Sequence, residues 1–326
     1  MQSAENTSKI VIQIKWMWRA YPIVFLVSIL LEARGNHIPS IDFEREGSTV
    51  SGNVNRSVSF SKMSGHGNDF IIIDGRSGKG AAPWSDYARE WCARRISIGA
   101  DGLMIIEPSD AADFRLRIFN ADGSEAEMCG NGARCAAAYA ERQGIAPQRM
   151  TMETMAGLVG ASVEDDVVAI QLTNPSSMKD AAILEIEGKT VPCWFINTGV
   201  PHTIIYRNGV ADIPADEVAR MGRTVRFHPA FAPAGTNVDF VEVIERGRIR
   251  ARTYERGVEA ETMACGTGAV ASAIISSVFK GAGTPPIQVE MPGGTLTVDF
   301  KERGGAFEDV WLKGKVVFVY DGRLSR

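Results

Sequence analysis

The heptapeptide Met128-Cys129-Gly130-Asn131-Gly132-Ala133-Arg134 returns later in the chain as Ala264-Cys265-Gly266-Thr267-Gly268-Ala269-Val270. In each copy a cysteine precedes Gly-x-Gly-Ala and a run of small and apolar residues of helical length. The first run stops at Gly144 and the second at Gly281, each placed as a glycine that closes a helix. Outside the heptapeptide the likeness continues. Arg115-x-Arg117-x-Phe119-Asn120 answers Arg250-x-Arg252-x-Tyr254-Glu255, and Gly123-Ser124-Glu125-Ala126-Glu127 answers Gly257-Val258-Glu259-Ala260-Glu261. The interval from Asn120 to Cys129 is nine positions and that from Glu255 to Cys265 is ten. Two strand–turn–Cys–helix units, their cysteines 136 positions apart, predict a duplicated domain.

Both helical runs carry little charge on any face, as in Ala136-Ala137-Ala138-Tyr139-Ala140 and Ala269-Val270-Ala271-Ser272-Ala273-Ile274-Ile275. A helix apolar all round must be covered on most sides. The strands of the same half are the simplest cover. The expected fold is therefore α+β: two pseudo-symmetric α/β domains, each a curved, mostly antiparallel sheet wrapped around a central helix. An approximate twofold between them would bring Cys129 and Cys265 to one seam.

A chain of 326 residues suits one large or two medium domains. Its net charge of −4 and lack of a basic stripe argue against nucleic acid as a partner. The five cysteines (92, 129, 135, 193 and 265) form no CxxC pair and no Cys/His zinc spacing. Scattered thiols in odd number fit a reducing, cytoplasmic compartment and argue against structural zinc. Cys92, Cys135 and Cys193 read as small core residues.

Residues 1–56 differ from the rest. Their apolar run from Tyr21 to Leu31 is shorter than the roughly 20 residues a membrane-spanning helix needs. Lys15 and Arg19 ahead of it resemble a signal peptide, but no A-x-A-like site follows near Leu31-Glu32-Ala33. The expectation is a disordered or loosely docked extension; a secretory signal or a misassigned start codon are the alternatives. The first domain is then expected over 57–174 plus 312–326, and the second over 175–311.

From Ser57 onward strand patterns alternate with turns. Val58–Lys62 and Ile71–Ile73 flank the glycine-rich Gly65-His66-Gly67-Asn68-Asp69-Phe70, which is either a ligand loop or a plain hairpin turn. Trp84–Arg95 has an amphipathic helical pattern. Strands are expected at Leu103–Ile106, Arg115–Phe119, Met150–Met155 and Val167–Leu172. The polar stretch Asn174–Lys179 reads as the interdomain connection. Strands follow at Thr190–Ile196, Thr203–Tyr206, Val238–Ile244 and Arg250–Tyr254, with a short helix at Ala215–Met221. A hairpin turns through Pro292-Gly293-Gly294, and Trp311–Val319 closes the chain.

The chemistry rests on the two repeated cysteines. A free thiol has a pKa near 8.5, and a helix N-terminus can lower it to roughly 3.5–7.5. The same helix ends offer unpaired amide donors to an anion, and flanking glycines let a carboxylate sit directly on them. Such a site could hold an α-amino acid by its carboxylate with one sulfur on each face of Cα. One thiolate then removes the α-proton while the opposite thiol delivers another, which inverts the centre.

These residues resemble the diaminopimelate epimerases, cofactor-independent isomerases of lysine biosynthesis. The likeness covers about residues 58–323. It is carried by Gly67-Asn68-Asp69-Phe70, by Asn120-Ala121-Asp122-Gly123-Ser124 with Cys129-Gly-Asn-Gly-Ala-Arg-Cys135, by Gly235-Thr236-Asn237, and by Glu255-Arg256-Gly257 with Cys265-Gly-Thr-Gly-Ala. The resemblance implies conversion of LL-diaminopimelate to the meso form, with Cys129 as proton donor and Cys265 as acceptor. It also implies no cofactor and no metal, a small-molecule amino-acid substrate, no membrane partner and a homodimer. It places substrate contacts at Asn68, Asn120, Gly130, Asn131, Asn237, Glu255, Arg256, Gly266 and Thr267. The amides of 130–131 and 266–267 suit the α-carboxylate, Arg256 the distal carboxylate, and Asn68, Asn120 and Asn237 the distal amino-acid end. Glu255 and His202 would position the thiols or the amino group.

Two positions depart from the familiar pattern. Val200 stands where an Asn precedes Pro-His, and Gly102 where a substrate-contacting Gln follows the Asp. Both bear on distal-end recognition, not on the cysteines. A racemase of another amino acid on the same scaffold therefore stays open, as do a proline-racemase-like or phenazine-isomerase-like enzyme. So does a non-catalytic amino-acid-binding or thiol redox-sensing protein.

Overall fold

The computed structural model describes residues 57–77 and 82–324. The extension expected over 1–56 lies outside the described residues. The first half begins with the hairpin of β1 (Val58–Gly65) and β2 (Asn68–Asp74). Its two turn residues, His66 and Gly67, have φ of 49° and 90°, as a type I′ hairpin turn requires. After them come α1 (Trp84–Trp91), β3 (Gly102–Glu107), β4 (Phe114–Asn120), β5 (Glu125–Ala126) and α2 (Gly130–Arg142). β6 (Arg149–Thr154), β7 (Gly157–Glu164) and β8 (Val167–Gln171) complete that half.

The second half repeats the order. It comprises β9 (Ser176–Ile186), β10 (Lys189–Asn197), β11 (Pro201–Tyr206), α3 (Ala215–Arg226), β12 (Asn237–Glu245) and β13 (Arg248–Glu255). Then follow β14 (Ala260–Thr262), α4 (Gly266–Lys280), β15 (Ile287–Met291), β16 (Gly294–Arg303) and β17 (Ala306–Lys315). A last strand, β18 (Val317–Leu324), crosses back and pairs with β1.

The pairings show the duplication directly. In the first half the strands run β1-β2-β3-β4-β6-β7-β8, with β2–β3 and β4–β6 parallel. In the second they run β10-β11-β12-β13-β15-β16-β17, with β11–β12 and β13–β15 parallel. The other pairs are antiparallel. Each parallel pair is bridged by a helix, the crossover that parallel strands need. Antiparallel pairing of β8 with β17, from Trp311 opposite Gln171 to Lys315 opposite Val167, joins the halves into one continuous sheet.

Part of the sheet in each half is covered on both faces. In β2 and β3, Ile72, Met104 and Ile106 face inward with α2, while Ile71, Ile73, Leu103 and Ile105 pack with Trp91 of α1. Burial on both sides explains why these strands read as unbroken apolar runs. α3 covers the corresponding face of the second half through Val218 and Val225 against Val238, Phe240 and Tyr254. The two central helices share a single hydrophobic cluster, with Ala133, Ala136 and Ala137 of α2 and Ala269, Val270 and Ile274 of α4 among its members. Each central helix is closed by a left-handed glycine, Gly144 at φ 65° and Gly281 at φ 64°.

Several elements differ from their sequence pattern. α1 stops at Trp91, and Arg95, expected to be helical, has φ of 71°. α3 continues to Arg226, one and a half turns past the expected end. β7 escapes notice because Gly157, Gly160 and Ala161 dilute its alternation. Ser176–Lys179 belongs to β9, so the connection between the halves is only 172–175. Trp311–Val319 is two strands: the chain stays on β16 and β8 through Lys315 and reaches β1 only from Val317.

Candidate active site

Cys129 and Cys265 are the residues at which extended backbone becomes helix. Their φ/ψ are −139°/113° and −115°/112°, and neither side chain caps its helix. Their carbonyls accept the first helical bonds, from Ala133 N–H at 2.8 Å and Ala269 N–H at 2.9 Å. The intervening amides lie at the open, positive end of each helix. The two starts converge on one side chain of the joining strand. A Cβ placed on Gly130 would lie 4.0 Å from Leu312 Cδ2, and one on Gly266 only 2.9 Å from it. A side chain at Gly266 would therefore require Leu312 to shift.

The thiols do not have the depressed pKa expected of helix N-termini. Enclosure pushes Cys129 up, although the Gly132 and Asn131 amides and the Arg134 guanidinium pull it down. Cys265 is pushed well above the ordinary range, by burial first and then by the Glu255 and Asp239 carboxylates. Thr267 and the Gly268 amide only partly offset this. Desolvation disfavours the thiolate more than the helix end favours it. Glu255 also acts on Cys129, so this one carboxylate lies near both sulfurs.

Around Cys265 the second half builds a relay of hydrogen bonds. Thr267 Oγ1 lies 3.4 Å from Cys265 Sγ and 3.0 Å from His202 Nε2. His202 Nδ1 is 2.7 Å from Asp239 Oδ2, with both side chains wholly buried. Thr253 Oγ1 donates to the other Asp239 oxygen at 2.7 Å. A carboxylate can only accept, so Nδ1 carries a proton toward Asp239, while Nε2 faces the Thr267 hydroxyl. Glu255 takes a 2.5 Å bond from Thr262 Oγ1 and hydrogen-bonds the Cys265 thiol, and burial raises its pKa. Asn237 donates to the Pro201 carbonyl at 3.0 Å and accepts the Arg256 amide at 2.8 Å. The Arg256 guanidinium bonds the Ala234 carbonyl at 3.2 Å and lines a cavity of about 450 Å³ with Phe195 and Phe231.

Around Cys129 the first half is built differently. Arg134, wholly buried, donates to Asn131 Oδ1 at 2.6 Å, and the same nitrogen lies 3.2 Å from His66 Nδ1. Asn131 Nδ2 donates to Asn68 Oδ1 at 2.8 Å, and Asn68 Nδ2 to Asp101 Oδ2 at 2.9 Å. Arg94 holds the other Asp101 oxygen at 2.7 Å. Asn120 stands apart from this chain: it is exposed and bonds Ser124 Oγ in its own turn at 2.9 Å.

Arg134, Asp101 and Asp239 were not among the residues the sequence singled out. Arg134 had a signal, as a lone charge inside an apolar run, whereas Asp239 shares its strand with Glu242 and did not stand out. Asp101 sits in a turn and had none. At Gly102, one of the two departures from the familiar pattern, a Cβ would come 2.9 Å from the Phe119 carbonyl oxygen, so packing favours glycine there.

A sequence profile described as diaminopimelate epimerase matches residues 60–178 and 194–319. The diaminopimelate epimerase of Aquifex aeolicus is 42% identical over 280 residues, 82% of this chain and 98% of that protein. That of Caldanaerobacter subterraneus is 40% identical over 284 residues, 82% of this chain and 99% of that protein. Among solved structures, a Bacillus anthracis phenazine biosynthesis protein superposes with a TM-score of 0.64 at 18% identity, covering 82% of this chain and 99% of that one. An Agrobacterium vitis hydroxyproline epimerase superposes with a TM-score of 0.60 at 16% identity, covering 83% and 93%. The superpositions establish the shared two-half fold.

Proposed function

The chain belongs to the diaminopimelate epimerase family, and on that premise we propose that it converts LL-2,6-diaminopimelate to meso-2,6-diaminopimelate without a cofactor, in lysine biosynthesis. Cys265 is the base on one face of the α-carbon and Cys129 the acid on the other. The observation that carries the proposal is the pair of cysteines at the convergent starts of α2 and α4, with glycine after each.

The α-carboxylate rests on the amides of 130–131 and 266–267, whose positive helix ends stabilise the carbanion as it forms. Cys265 reacts as the thiolate and takes the α-proton, and Glu255 holds the thiol that results. Cys129 then delivers its own proton to the opposite face, leaving a Cys129 thiolate beside Arg134. Afterwards Cys265 loses a proton to solvent and the Cys129 thiolate gains one, so one proton leaves substrate, one arrives, and the site is reset. Thr267, His202 and Asp239 hold the Cys265 side in register. Arg256 and Asn237 suit the distal carboxylate and ammonium, with Asn68 and Asn120 on the first-half side.

A reducing, cytoplasmic setting is part of the same proposal, since five scattered cysteines in odd number do not make a disulfide framework. A homodimer belongs to the same proposal: the edge strand β18 exposes Val317, Val319 and Tyr320, an apolar border for a second copy to cover. The test is turnover of LL-diaminopimelate in deuterium oxide. Meso product should carry one deuterium at the inverted α-carbon. Product without deuterium, or no product at all, refutes the proposal.

A further inference from the structure

The hydrogen-bond chain beside Cys129 has a direction. Arg134 can only donate, so the Asn131 oxygen must face it and the Asn131 nitrogen must face Asn68. Asp101 can only accept, so the Asn68 nitrogen must face it. Arg94 and the Asp69 amide hold the Asp101 carboxylate in place at 2.7 and 3.1 Å. An asparagine amide by itself has two nearly equivalent orientations about its last torsion. Here a fixed cation at one end and a fixed anion at the other leave only one. The second half has no counterpart, since Val270 occupies the place of Arg134 in the repeat.

We propose that Arg134 and Asp101, acting through Asn131 and Asn68, set which side of the Asn68 amide is donor and which is acceptor, and thereby which configuration the site accepts at the non-reacting centre of its substrate. The inference rests on the functional reading above, in which Asn68 meets the distal end. That end carries an ammonium, which needs an acceptor, and a carboxylate, which needs a donor. Opposite configurations at the distal carbon exchange the two. Asn68 retains one free N–H and one free lone pair after its bonds to Asp101 and Asn131, and their positions match one configuration only. A freely turning amide would serve both. Neither Arg134, which is wholly buried, nor Asp101 need touch substrate, so both are positioning residues.

The test compares kcat/KM on LL- and DD-diaminopimelate for wild type, Asp101→Asn and Arg134→Met. With its oxygen held by Arg94, an asparagine at 101 turns a donor toward Asn68, so the two ends of the chain no longer agree on one orientation of that amide. The LL/DD ratio should fall about tenfold, the worth of one hydrogen bond misplaced, with KM for the LL isomer rising more than kcat falls. A folding defect reduces the active fraction for both isomers alike and leaves the ratio untouched. If Arg134→Met does not fold, Asp101→Asn carries the test alone, because Asp101 lies at the edge of the site. Wild-type activity with an unchanged ratio in Asp101→Asn overturns the relay alone. A wild type inactive on every stereoisomer overturns the functional reading and this inference together.

Discussion

The two halves share strand order, parallel pairs and a buried helix started by a cysteine, yet they surround that cysteine with opposite charge. Beside Cys129 stands Arg134, inside a helix with hardly another charge. Beside Cys265 stand Glu255 and Asp239, the latter wholly buried. Anions make a thiolate costlier and therefore a stronger base, and a cation makes the thiol a stronger acid. A duplicated fold fixes where the sulfurs are, while one or two charges per half set how readily each ionises. Environments that separate two titratable groups identify acid and base. For the proposed LL-to-meso reaction they suit Cys265 as base and Cys129 as acid.

The most drastic way to break the comparison is to remove either sulfur. Cys129→Ser and Cys265→Ser should each lower kcat by about 10²–10⁴, the usual contribution of a positioned proton donor or acceptor. In the proposed reaction the two thiols act on different faces, so each variant should be impaired from both LL and meso substrates. Full turnover by either variant, measured with product resolved by chiral chromatography, would rule out a two-base site.

A gentler change moves the charges and leaves the sulfurs. The rate requires one thiol and one thiolate, so kcat/KM should follow a bell in pH. Cys129 is raised and Cys265 raised well above its ordinary value, so the acid limb follows Cys129 and the alkaline limb Cys265. Without the cation, in Arg134→Met, the Cys129 thiol ionises at higher pH and the acid limb moves up. Without the buried anion, in Asp239→Asn, Cys265 ionises more readily and the alkaline limb moves down. The two variants should narrow the bell from opposite sides. Shifts of one limb in the same direction for both would mean that the halves are not electrostatically distinct.

Much of this was legible in the chain because duplication writes itself twice. The cysteines, the glycines after them and the two closing glycines repeat in sequence and occupy matching places in the fold. Patterning could mark Arg134 as a charge in an apolar run but not what it bonds, since His66 lies 68 positions away in the chain. It could not show strand β7, whose small residues dilute the period. Nor did it align the turns correctly. Matching Gly123-Ser-Glu-Ala-Glu to Gly257-Val-Glu-Ala-Glu sets Glu125 against Glu259, but the sheet sets it against Glu261: Phe119 faces Glu125, and Tyr254 faces Glu261. The extra residue lies in the second turn, where Glu259 takes a left-handed φ of 57° and bonds Arg226. A one-residue insertion is invisible to a motif match that finds the same letters two positions early.

That corrected register yields the finest comparison of the halves. Arg117 grips Glu125 with two bonds of 2.7 and 2.8 Å, and Arg252 grips Glu261 with two of 2.6 and 2.8 Å. These pairs brace equivalent turns ahead of equivalent cysteines. They are not equally embedded. Arg252 is 11% exposed and also donates to the Val210 and Ile213 carbonyls, tying the turn to the segment before α3, whereas Arg117 is 27% exposed. Arg252→Met therefore strands two carbonyls and a nearly buried carboxylate and should cost about 2–3 kcal/mol in denaturant unfolding. Arg117→Met leaves a carboxylate that water can reach and should cost about 1 kcal/mol. Equal costs would mean that the carbonyl bonds contribute nothing and that the turns, unlike the cysteines they precede, have stayed equivalent since the duplication.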